Sequence, residues 1–286
     1  MFSGGVVRVT GSGLGCPTWP ACDATSLTAT PALGIHGLIE FTNRALTSLL
    51  ILAVGWAIVA ARLQKPRNRN LTRLAWSQFW LVVANAVAGG ISVLTALNPY
   101  VVALHFLLAI ALLTTTALTW HRAREVPRIR AEQPRINVLL SWSLVLCTLA
   151  LIIVGTLVSG SGPHSGDSAA VPRMAFVWAD VTIVHGILGS ATIVLAIALW
   201  LSLGATSAAR LSRRRVLFFV VVATAQAGVG LVQSLTGIPG SLVAIHLLGS
   251  ALVWIGALRV LLDVNPALFP NLQVSRPAVA VNPVDA

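Results

Sequence analysis

Seven stretches of the chain, 36–61, 74–97, 101–120, 138–158, 181–203, 215–235 and 242–262, are long, apolar and almost free of charge. A helix needs about 20 such residues to cross the hydrocarbon core of a bilayer. Inside that core every backbone polar group must be satisfied within the protein, which leaves helices as the form for runs of this length. The chain therefore reads as an all-α integral membrane protein. Composition agrees: 9% of residues are charged and 56% hydrophobic, where a soluble domain has about 25% charged. A disordered chain, a disulfide-rich secreted module and an ordinary cytosolic enzyme are excluded. Pro99, Pro127, Pro134, Pro163, Pro172 and Pro239 fall between the stretches, where a missing N–H costs little.

A formal charge of +11 invites a nucleic-acid partner, but its distribution argues against one. Sixteen of the nineteen basic residues lie in three alternate gaps and at the C-terminal end, leaving Arg8, Arg44 and Arg173 elsewhere. That is the positive-inside pattern. It predicts a multi-pass plasma-membrane protein with a cytoplasmic C-terminus and with gaps 8–35, 98–100, 160–180 and 236–241 outside. The Pro- and Val-rich end, 264–286, reads as a disordered cytoplasmic tail.

An internal repeat organises the spans. Setting Leu94-Thr95 on Leu235-Thr236 also pairs Val102-Ala103-Leu104-His105 with Val243-Ala244-Ile245-His246, Gly89 with Gly230 and Asn85 with Gln226. At nearly the same offset Asn43 meets His185, and Thr10-Gly11-Ser12-Gly13 matches Ser159-Gly160-Ser161-Gly162. The repeat predicts two four-helix units of one orientation, 1–122 and 136–263, related by an axis along the membrane normal. Met1–Val9 then reads as the end of an opening helix, with the natural start expected roughly 12 or more residues upstream, given about 20 residues per span.

His105, His185 and His246 each stand near the outer end of an apolar span. An ionisable residue there is expensive and points to function. One such histidine alone reads as a core residue satisfied by a helix-to-helix hydrogen bond; three at matching heights read as ligands. His185 and His246 belong to one half and could hold a heme iron between two helices. Zinc is disfavoured because no cysteine joins them. His121 and His164 read as solvated, and Cys147 as packing.

Glu40 is the carboxylate that stands out. His36, Glu40 and Asn43 are spaced i, i+4, i+7 and share one helical face; the plain alternative pairs Glu40 with Arg44 one turn on. The second half has Thr182 at the equivalent place, so the carboxylate belongs to one half. Cys16 and Cys22 enclose PTWPA in the first outer loop. On the oxidising side they can form a disulfide or act as a reducible thiol pair.

The run GGVVRVTGSGLGCPTWPAC, then HGLIEFTNR, then helices bearing His105, His185 and His246, resembles the heme A synthase family, its actinobacterial members in particular. The resemblance covers nearly the whole chain. It implies eight helices in two four-helix bundles, the C-terminal one holding heme b and the N-terminal one taking heme O as substrate. The implied reaction oxidises one methyl group of heme O to a formyl group, by successive hydroxylations and loss of water, and the product serves cytochrome c oxidase. By position His185 and His246 are the axial ligands of heme b, and His105 faces the substrate heme. Glu40 matches the carboxylate of the family's Glu-x-x-His motif, and Cys16 and Cys22 its outer-loop pair. The chain departs from the family at Asn43, where many members have His. The substrate heme is then expected to have one conventional axial ligand, with His36 as a surrogate candidate. Heme O synthase and the cytochrome c oxidase assembly machinery are the implied partners; the electron donor and a homo-oligomeric state stay open. Two other readings are a heme carrier that leaves heme unchanged and a quinol-linked b-type cytochrome. The latter would want paired histidines in both halves and no lone carboxylate.

Overall fold

A computed structural model describes residues 1–124, 133–164, 166–167, 171–204, 209–265 and 268. Its elements are α1 (Phe2–Val9), a 3-10 turn at Pro31–Leu33, α2 (Gly34–Leu63), α3 (Arg69–Leu94), α4 (Pro99–Ala123), α5 (Arg135–Ser161), α6 (Trp178–Ser202), α7 (Arg210–Leu235) and α8 (Gly240–Val264). Seven helices, α2 to α8, are long and apolar enough to cross a membrane. Pro127 and nearly all of the tail expected at 264–286 lie outside the described residues.

The ends of the helices have local causes. Asn68 accepts hydrogen bonds from the Asn70 and Leu71 amides, so α3 begins at Arg69, five residues before its apolar run. Pro99 is not in a gap: it is the first residue of α4, under an Asn98 cap, where the absent N–H is one that no helix would use. The last residues of the expected 74–97 span form a turn instead. Ala96 (φ 50°) and Leu97 (φ 58°) are left-handed, and the Leu97 amide reaches back to the Ser92 carbonyl at 2.7 Å. The α7–α8 turn has the same build, with Gly237 (φ 75°), Ile238 (φ 60°) and an Ile238-to-Gln233 bond of 2.9 Å. Both are Schellman-type helix ends.

Burial follows the rule for lipid rather than water. Leu49, Leu52, Trp56, Ile187, Val194, Leu201 and Phe218 are exposed, on the outside of the helix assembly. Helices α5, α6, α7 and α8 close a ring, each touching the next and α8 returning to α5. They share one core, including Leu144, Ile152, Ala196, Leu199, Val216, Phe219, Trp254 and Leu258, to which α4 adds Ile110. Helix α8 is the most enclosed. It also carries α1 and α4, and Trp254 Nε1 donates to Thr114 Oγ1 at 2.9 Å. Helices α1 to α4 pack only as a chain, α1 on α2, α2 on α3, α3 on α4; among the described residues α1 and α4 do not touch.

The two ends of the assembly are chemically distinct. At the arginine-rich end Arg215 pairs with buried Asp263, and Arg124 and Arg213 lie 3.8 and 4.1 Å over the rings of Trp120 and Trp200, as cations and aromatics do at a membrane interface. At the other end the loops interlock. The Gly13 amide donates to the Gly166 carbonyl at 2.8 Å, Ser12 bridges to Asp167, and the Leu14 amide donates to Asp167 Oδ2 at 3.1 Å.

Candidate functional site

Each of the three span histidines sits against a glycine on the preceding helix. A Cβ on Gly89, Gly155 or Gly230 would stand 3.1 Å from Cε1 of His105, His185 or His246 respectively. Any larger residue would displace the ring, so these glycines set how deep it sits. Gly89 and Gly230 are both sixteen residues before their histidines, a regularity legible in the sequence but carrying no obvious meaning there. His105 Nδ1 meets the Asn85 carbonyl at 2.9 Å and His185 Nδ1 the Leu151 carbonyl at 3.1 Å. A carbonyl only accepts, so both Nδ1 atoms carry the proton and both Nε2 atoms keep a free lone pair. In the third case the Gln226 amide donates to the His246 backbone carbonyl at 2.6 Å, and among the described residues the buried His246 Nδ1 has no hydrogen-bond partner.

The histidines are not brought together as a trio. His185 and His246 form a pair, with ring centres 6.2 Å apart and planes at 61°. Metal–imidazole bonds of about 2 Å on either side of one ion, plus the two ring half-widths, call for a separation of about 6 Å. His105 stands apart on α4.

Glu40 is buried, and its Oε1 accepts from Arg44 Nε at 3.0 Å. The i, i+4 pair weighed in the sequence is therefore present, but it is only part of the Arg44 contact. Arg44 Nη1 also donates to the Thr18 and Ala21 carbonyls at 2.8 and 3.2 Å, and Nη2 to the Cys16 carbonyl at 3.0 Å. One guanidinium thus joins the carboxylate to three carbonyls of the loop that Cys16 and Cys22 close. Those cysteines are disulfide-bonded and wholly buried. The loop lies directly on α2: a side chain at Gly15 would collide with the His36 carbonyl, and a Cβ on Gly37 would stand 3.2 Å from the Gly15 carbonyl. Its Trp19 covers Gly90, the neighbour of the glycine under His105.

His36 and Asn43 do not gather round Glu40. His36 is exposed, with Nδ1 2.9 Å from buried Ser12 Oγ. Asn43 is half-buried, one turn further along α2, and the carboxylate bonds Arg44 rather than its amide. Beyond the disulfide, Asp23 accepts from the Thr25 amide and hydroxyl at 2.7 and 2.9 Å, and these bonds hold its carboxyl below the usual range.

The three arginines that broke the charge pattern share one explanation. Arg8 donates to the Ser159 carbonyl at 2.5 Å and Arg173 to those of Gly162 and Pro163, as Arg44 does within its loop. Arg8 and Arg173 satisfy carbonyls at the end of α5, and Arg44 satisfies those of the disulfide loop. His164, expected to be solvated, has Nε2 2.7 Å from the Ile238 carbonyl, because its loop folds back onto the α7–α8 turn. Cys147 lies at the α5–α6 interface, 3.4 Å from Thr192 Oγ1.

Residues 1–258 match the profile of the COX15-CtaA family, described as cytochrome oxidase assembly protein. A protein of Staphylococcus epidermidis named heme A synthase is 25% identical over 217 residues, covering 65% of this chain and 70% of its own. A heme A synthase of Listeria welshimeri is 28% identical over 184 residues, covering 62% of this chain and 58% of its own. The match thus spans little more than half of the Listeria relative. No solved structure matches.

Proposed function

The chain belongs to the COX15-CtaA family of cytochrome oxidase assembly proteins, and on that premise we propose that it is a heme A synthase, an oxidoreductase that converts a methyl group of heme O to a formyl group. The observation that carries this reading is the unequal equipment of its two parts. A histidine pair 6.2 Å apart lies within α5–α8; in α2–α4 one histidine, His105, sits in a glycine notch and one carboxylate, Glu40, is buried.

In this reading the chain is two pseudo-symmetric four-helix bundles in the plasma membrane, with the disulfide loop outside and the C-terminus in the cytoplasm. The twin Schellman turns support the symmetry. His185 and His246 would hold heme b; the donor set fits, since His185 presents a free Nε2 and both rings sit in glycine notches. Bound heme b supplies one-electron transfer. His105 would orient heme O through Nε2, its tautomer set by Asn85. Glu40 lends Oε1 to Arg44, which leaves Oε2 to accept a proton at the carbon being oxidised. Asn43 is not an axial ligand, because an amide nitrogen's lone pair is delocalised. With Thr10-Gly11-Ser12-Gly13 set on Ser159-Gly160-Ser161-Gly162, Val6 stands where Gly155 does, so this position has lost histidine and notch together.

The test is pigment extraction from membranes of a host that makes heme O but no heme A. The native chain is expected to yield heme A. Glu40→Ala should lower the yield about a hundred- to ten-thousand-fold, the range for losing an acid–base group, and leave the heme b spectrum intact. Heme O unchanged in the presence of the folded, heme-loaded native protein would replace this reading with that of a carrier.

A further inference from the structure

We propose that Arg44 is a positioning residue that couples the Cys16–Cys22 bond to Glu40: while the loop is closed its carbonyls hold the guanidinium and the guanidinium holds the carboxylate, and when the bond opens that hold is released. The geometry is that of a latch. Nη1 and Nη2 take carbonyls of Cys16, Thr18 and Ala21, and Nε takes Glu40 Oε1. Three acceptors thus lie between the two cysteines or on one of them, and the fourth is the buried carboxylate on the same helix as Arg44. The guanidinium fork serves two separate structures at once, and only a planar, multi-donor cation can do so.

The disulfide sits beneath this latch. Both sulfurs are fully buried, and the loop rests on α2 at Gly37, whose carbonyl lies 3.7 Å from Cys16 Sγ. A reductant reaches the bond only when the loop lifts, and lifting breaks the three carbonyl bonds to Arg44. Opening by a dithiol is balanced: two electrons and two protons pass to Cys16 and Cys22, which become thiols, and the reductant becomes its own cyclic disulfide. The coupling is reciprocal. Whatever frees Arg44 eases reduction, and reduction frees the partner of Glu40.

The experiment uses the full-length protein in membranes or detergent, in two arms that do not involve heme conversion, so failure here leaves the heme A synthase reading standing. In the first, dithiothreitol reduction of Cys16–Cys22 is followed by maleimide gel shift. Arg44→Lys keeps the charge and loses the fork, and Arg44→Gln loses both. Each should speed reduction at least tenfold and raise the reduced-to-oxidised ratio in a dithiothreitol redox buffer about tenfold, or about 30 mV for a two-electron couple. In the second arm, dicyclohexylcarbodiimide, an apolar reagent for protonated carboxyl groups, reports on Glu40 by peptide mass. The native chain should be labelled at Glu40 severalfold more after reduction than before. Arg44→Gln should be labelled equally in both states, and Glu40→Gln not at all. A merely structural arginine would leave labelling of the native chain independent of the thiols. Unchanged reduction in Arg44→Lys and Arg44→Gln, or equal Glu40 labelling of native protein in the two states, overturns the proposal. Cys16→Ser with Cys22→Ser should label at the reduced level without any reductant, and labelling at the oxidised level would also overturn it.

Discussion

Helices α5–α8 and α1–α4 solve the same packing problem differently. The first set closes on itself round a shared core and presents two histidines to each other. The second stays open between α1 and α4 and leans on α8; its own core is the small cluster of Ala61, Leu71 and Ala75 near the arginine-rich end. What holds its opposite end is instead a disulfide loop, Arg44 with four acceptors, and Ser12 on His36. A closed ring of apolar contacts makes a rigid frame, whereas hydrogen bonds at a helix end make one that can open. The two sets share backbone turns and ring notches while the side chains set on them differ.

The largest expected effect breaks the comparison at the histidines. His185→Ala or His246→Ala should abolish a low-spin b-type spectrum in the purified protein. His105→Ala should leave that spectrum and remove substrate turnover. A variant lacking both His185 and His246 that kept the spectrum would assign the heme to the other half.

A smaller effect is expected at the notches. Gly155→Ala and Gly230→Ala place a methyl 3.1 Å from a histidine ring, an overpacking of about 1–3 kcal/mol. Both should shift the b-type absorption, and Gly89→Ala should not. An equal shift from all three would mean that the two sites are coupled or that a single site spans both.

The smallest effect lies in the turns. Ala96 holds a φ of 50° at the place where the matching turn has Gly237. Ala96→Gly should stabilise the α3–α4 turn by about 0.5–1 kcal/mol, the left-handed strain relieved less the entropy glycine adds. Gly237→Ala should cost a similar amount. Thermal unfolding in one detergent measures both, and no change in either would show that the turns bear no strain.

Apolar length and local chemistry made the seven spans legible from the sequence, with the histidines, carboxylate and cysteines as candidates. Those features depend on neighbours within a few turns, and bilayer thickness sets their scale. Helix ends were misread where a cap or a left-handed turn outweighed hydropathy, as at Asn68 and Leu97. Only the tertiary structure decided that Arg44 reaches carbonyls 23 to 28 residues away, and that His164 bonds a carbonyl 74 residues on. It alone decided that His185 and His246 face one another while His105 does not join them. A guanidinium or imidazole takes whichever acceptor the fold brings within 3 Å, and linear spacing holds no record of which loop will lie there.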